Sequence, residues 1–148
     1  MILALGIFVC SAYLLATASP LLLVESARFP GLPMGSLITW AGIASLPIAL
    51  FLGFDQVLRQ RSRLARVFRS VMTGLLLLSA GWGFVSYGLA GNWAFNFSNQ
   101  TDSFQGSEAA GKFFWAYSIS IVTMTLLVSA VLCAFVLFSN RKDDRVRG

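Results

Sequence analysis

The chain has no histidine, which excludes imidazole-bound metals, histidine-ligated heme and histidine-based proton transfer. Charge is almost as scarce. Only 11% of the 148 residues are Asp, Glu, Lys or Arg, where an ordinary soluble domain carries about a quarter. The two cysteines, Cys10 and Cys133, are too few for a structural metal site and read as small apolar packing residues. No acid falls within any long apolar run, so the usual mark of a proton relay or an ion-coupled transporter is missing. No catalytic set remains, and the chain reads as a non-enzyme needing no cofactor.

What the sequence does have is apolar length. Hydrophobic residues make up 57%, and no charge occurs in Ile2–Val24, Phe29–Phe54, Ser70–Thr101 or Phe113–Asn140. Those windows hold 23, 26, 32 and 28 residues, and a helix needs about 20 to cross a bilayer. In hydrocarbon every backbone N–H and C=O must be satisfied within the segment, which favours helices. The runs lack the alternating pattern of barrel strands. The expected fold is therefore one all-α integral membrane domain over residues 1–148, a multi-pass four-helix bundle. Its spans are expected at about 2–24, 35–54, 68–90 and 113–138. Ala16-Thr17-Ala18 resembles a small-residue cleavage site, but no basic residue precedes the apolar run, so the first window is expected to remain a span.

Orientation follows from the basic residues. Asp55–Arg69 holds five arginines and one acid, and Arg141, Lys142, Arg145 and Arg147 crowd the C-terminal end. The other two connections carry only Arg28 and Lys112. Short basic loops stay cytoplasmic, which places both termini inside and the short 25–34 and longer 91–112 loops outside. The four tryptophans (Trp40, Trp82, Trp93, Trp115) fall at the outward ends, as an interfacial belt requires. Attraction to anionic headgroups accounts for Arg59, Arg61, Arg63, Arg66 and Arg69 as lipid contacts, and no nucleic-acid partner is expected despite a pI near 9.9. Arg59, Arg63 and Arg66 share a helical face, so the third span is expected to begin early, as an amphipathic turn.

Two stripes of small residues stand out: Ala41, Ser45, Ala49 and Gly53 every fourth position, and Gly74, Gly81 and Gly88 every seventh. Helices in lipid pack where small residues let backbones approach, so both stripes are read as packing seams. In the 91–112 loop, Trp93, Phe95 and Phe97 alternate with polar residues in the period of a half-buried strand, and Phe104 adds a fourth aromatic. These four are expected to pack on something, either the chain's own helix ends or a partner. The same loop carries two Asn-x-Ser/Thr patterns, at Asn96 and Asn99, which would be glycosylation acceptors if outward and clear of the surface. The functional expectation is an accessory or scaffolding subunit of a larger membrane complex, with lipids and other integral membrane subunits as partners. The alternative is a small uncoupled channel or carrier, oligomeric, with Ser118, Ser120, Thr123, Thr125 and Ser129 lining its path.

Overall fold

The computed structural model describes residues 1–26, 29–59, 63–95, 97 and 104–147. It is 82% helical. The first helix, α1, spans Ile2–Ala16 and is apolar on every side. It stops well short of the expected 2–24. Thr17 turns its hydroxyl back onto the Tyr13 carbonyl at 2.9 Å, and Ala18 takes a left-handed φ of 46°. Pro20 then forbids continuation, because its ring removes an N–H and would clash with the carbonyl four residues back. A single 3-10 turn, Pro20–Leu23, follows. At 15 residues α1 is about 22 Å long, against about 30 Å of bilayer hydrocarbon.

The short connection is not a plain loop. β1 (Glu25–Ser26) and β2 (Phe29–Pro33) pair antiparallel, Glu25 opposite Pro33 and Ser26 opposite Phe29, with an irregularity between. Gly31 supplies the positive φ of 79°.

Helix α2 (Met34–Gly53) follows Pro33 directly and carries a buried Pro47 inside it. A one-turn α3 (Asp55–Leu58) leads to α4 (Arg63–Ala90). α4 starts earlier than the expected 68 and takes in Arg63 and Arg66, but Arg59, expected on the same helical face, lies at the end of α3 instead. The last helix, α5, covers Glu108–Arg147, overrunning the expected 113–138 at both ends. At its start, Ser107 accepts from the Ala110 N–H at 3.2 Å and Glu108 pairs with Lys112 at 2.7 Å. Cap and i,i+4 pair together satisfy and support a first turn that hydropathy alone passes over.

Three helices are long and apolar enough to cross a membrane: Met34–Gly53, Arg63–Ala90 and Glu108–Val136. α2 is central, with α1 on one side and α4 on the other; α5 packs on α4 and reaches α2. The apolar core gathers at one end, around Ile43, Trp82, Ala90, Phe95, Phe114 and Ile121. Elsewhere the arrangement is turned outward. Leu77 and Phe113 are 70% and 68% exposed, while Ser45, Ser79, Ser86 and Thr125 are buried between helices. Hydroxyls inside and large apolar side chains outside suit helices that meet through small residues in an apolar solvent.

Candidate functional site

The tightest approaches between helices occur at glycines other than those the stripes singled out, although a Cβ on Gly53 would also meet Met1 Sδ at 3.1 Å. A Cβ on Gly42 would lie 2.6 Å from Ser11 Cβ, so this pair sets the α1–α2 crossing. One heptad earlier, a Cβ on Gly35 would meet the Phe97 ring at 2.6 Å and the Leu22 carbonyl at 2.7 Å. Ala49, one heptad later, is 1% exposed. The tight face of α2 thus runs through 35, 42 and 49. Ser45 is also buried, and its hydroxyl donates to the Gly42 carbonyl at 2.8 Å. Ala41 and Gly53 are exposed.

On α4 the contact with α2 falls at Gly83, where a Cβ would sit 2.5 Å from the Trp40 ring. Trp40 lies across that glycine, donates from Nε1 to the Ala80 carbonyl at 3.1 Å and meets Phe84 edge-on at 5.4 Å. Among the described residues, a Cβ on Gly74, Gly81 or Gly88 would meet no atom within 4 Å beyond its own helix backbone and chain neighbours. The structure does not bring them against α2 or α5; they mark an open face. A seven-residue spacing put these three glycines on one side of the helix but gave no direction for that side.

The aromatic loop folds onto its own helix ends. Gly91 ends α4 with φ 77°, its N–H bonding the Tyr87 carbonyl at 2.8 Å. Asn92 Oδ1 then accepts from the N–H groups of Ala94 and Phe95 at 2.9 and 3.0 Å. That turn replaces the expected strand, because an Asn side chain offers the backbone an alternative to ladder bonding. Phe95 takes a left-handed φ of 50° and is 1% exposed, with Trp82 at 5.3 Å and Phe114 at 6.0 Å. Trp93 stacks on Tyr87 at 4.5 Å, and its carbonyl accepts from Ser36 Oγ at 2.7 Å. Phe104 meets Phe114 edge-on at 5.7 Å. Phe97 lies against Gly35. Of the expected partner contacts, Phe95 is therefore spent within the chain, and Trp93, Phe97 and Phe104 are half-buried on it. Asn96 and Asn99 lie outside the described residues, as does Arg61.

Beneath the aromatic cap, side chains tie α4 to its neighbours. Trp82 Nε1 donates to Ser118 Oγ at 2.8 Å, and Tyr117 donates to the Leu78 carbonyl at 2.6 Å. The α5 hydroxyls serve their own helix: Ser118, Ser120, Thr125 and Ser129 donate to the carbonyls of Phe114, Tyr117, Ile121 and Thr125. Thr123 is exposed on the wall of an apolar groove of about 300 Å³ between α1, α2 and α5. Among the described residues no three His, Cys, Asp or Glu side chains converge as a metal site requires, and both cysteines are exposed.

The opposite end is cationic. Arg59 Nε pairs with Asp55 at 2.9 Å. This hydrogen bond first, and the attraction of the charges second, push the Arg59 guanidinium above its ordinary pKa. Arg69 joins them around a cleft of about 320 Å³ that is closed by Phe51 and Leu58. Arg63 and Arg66 border a second cleft, of about 430 Å³, with Val67, Ser70 and Val71. Both clefts put guanidinium groups beside apolar walls.

The class these features define is a mostly helical protein with three helices suited to crossing a membrane, capped by aromatics at one end and arginines at the other. No protein-family model, curated protein or solved structure matches the chain.

Proposed function

We propose that the chain is a non-catalytic, multi-pass membrane protein acting as an accessory or scaffolding subunit of a larger membrane complex. The single observation that carries this reading is the open glycine face of α4. Among the described residues a Cβ on Gly74, Gly81 or Gly88 would meet nothing within 4 Å beyond its own helix backbone and chain neighbours, and Leu77, Leu78 and Phe84 beside them are half or more exposed. A flat glycine strip between large apolar side chains is the surface on which a second helix approaches closely in lipid.

In this reading α1 is the fourth and shortest span, completed by the Pro20–Leu23 turn, and both termini lie on the cytoplasmic side with the arginine end. The aromatic end then sits at the outer interface, where tryptophan and tyrosine are enriched. The experiment is purification in mild detergent from cells that make the protein natively. Stoichiometric integral membrane partners are expected, lost on Gly81→Leu while the monomer stays folded. A wild-type protein that purifies as a lone monomer, or a Gly81→Leu protein that keeps its partners, would overturn the subunit reading.

A further inference from the structure

The two clefts at the arginine end carry a more specific consequence, which rests on the membrane reading above. We infer that this corner is a binding site for an anionic glycerophospholipid, its phosphate held by Arg63 and Arg66, which border one cleft, and its glycerol and upper chain carbons laid on Val67 and Val71 beside them.

Acid is scarce in this stretch of the chain. Asp55 is the one acid from residue 55 to residue 71, and it is already engaged by Arg59. Among the described residues no acidic side chain pairs with Arg63, Arg66 or Arg69. Guanidinium groups present their N–H donors in a planar fork that matches a phosphate's oxygens two at a time. Even Arg59, bound through Nε, keeps further N–H groups for an anion.

The walls decide which anion. Phe51 and Leu58 close the first cleft, and Val67 and Val71 border the second. Val67 and Val71 are 59% and 42% exposed, so an apolar ligand reaches them freely. A soluble phosphate would use the arginines and leave those surfaces in water. An anionic amphiphile covers both, and burying the apolar part adds free energy in proportion to the area removed from water. Position agrees. The clefts lie where the apolar stretches of α2 and α4 give way to arginine, which is the depth of a phosphate layer if those helices span. Ser70 adds a hydroxyl donor at the same level.

The test uses the full chain in non-ionic micelles containing equal amounts of phosphatidylglycerol and phosphatidylcholine, with bound lipid counted by native mass spectrometry. The wild type is expected to retain phosphatidylglycerol preferentially. Each arginine lost in Arg63→Gln/Arg66→Gln is expected to cut that preference by about fivefold. Arg145→Gln/Arg147→Gln, on the C-terminal turn of α5, is expected to leave it unchanged. Equal retention of both lipids by the wild type would overturn the site, and this outcome needs no variant to fold. An equal loss in the α5 variant, or displacement of the lipid by the same concentration of inorganic phosphate, would overturn it too. Release of the chain from native membranes by alkaline carbonate would instead sink the membrane reading itself.

Discussion

Trp82 and Ser118 join α4 to α5 through one hydrogen bond of 2.8 Å, made where the indole N–H has no water to turn to for a substitute. Trp82 is fully buried, while Ser118 is half-buried and donates its own hydroxyl to the Phe114 carbonyl at 2.7 Å. The indole is also the hub of the aromatic cap, with Phe95 and Phe114 on its ring at 5.3 and 5.9 Å. One residue thus anchors a helix pair and the loop folded over it.

Ser118→Ala leaves the Trp82 N–H buried without an acceptor. That is expected to cost about 1–3 kcal/mol, the penalty of an unsatisfied buried donor. Trp82→Phe removes the donor but also part of the packing. In a double-mutant cycle the two changes should couple by at least about 0.5 kcal/mol, since the second no longer strands a partner. Unfolding of each variant in a fixed detergent measures it, and simple additivity would mean that the bond contributes nothing.

The crossing of α1 over α2 depends on the absence of a side chain at Gly42. Gly42→Val is expected to destabilise the fold by about 1–3 kcal/mol through overpacking against Ser11. Gly81→Val, on the open face, should stay within about 0.5 kcal/mol in the isolated monomer. The contrast is read by thermal unfolding. If Gly81→Val destabilises the monomer as much as Gly42→Val, the assignment of contact and open faces is wrong.

Helical character and the approximate positions of the long spans were legible from apolar run length alone, because nothing else satisfies a backbone in hydrocarbon. The end of α1 is legible in Pro20, which stops the helix although the apolar run continues past it. Gly42 and Gly83 were not distinguished from their neighbours. A glycine is tight only if a partner arrives beside it, and Ser11 and Trp40 arrive from helices 31 and 43 residues away. The loop aromatics were rightly expected to pack, yet their alternation suggested a strand. Asn92 decided otherwise by capturing two N–H groups for a turn. The arginine cluster was visible as composition, but the cleft that holds Arg59 and Arg69 needed Phe51 of α2 and Leu58 of the α3 turn.

Phe95 combines a buried ring with a backbone conformation that most side chains avoid. Phe95→Ala is expected to cost about 3–5 kcal/mol by emptying the space between Trp82 and Phe114. Phe95→Gly relieves the left-handed strain and should be less damaging than Ala by about 1 kcal/mol. Amide exchange across residues 91–95 should rise in both variants as the turn opens. A Phe95→Ala protein with wild-type stability and exchange would show that the cap is not held by this ring.

The Asp55–Arg59 pair should matter little to folding, although it is the best-formed ion pair at the arginine end. Both side chains are substantially exposed, at 40% and 75%, so water and salt screen the attraction. The raised guanidinium pKa fixes the sign of its pH dependence. Its stabilisation is fully present below the ordinary arginine value and is lost only as pH climbs through the still higher folded value. Neither transition lies near neutrality. Arg59→Gln is therefore expected to leave the unfolding midpoint unchanged, with the same flat profile as wild type through the neutral range. Midpoints measured across that range check it, and a pH-dependent loss confined to the variant would show that Arg59 stabilises the fold through a group other than Asp55.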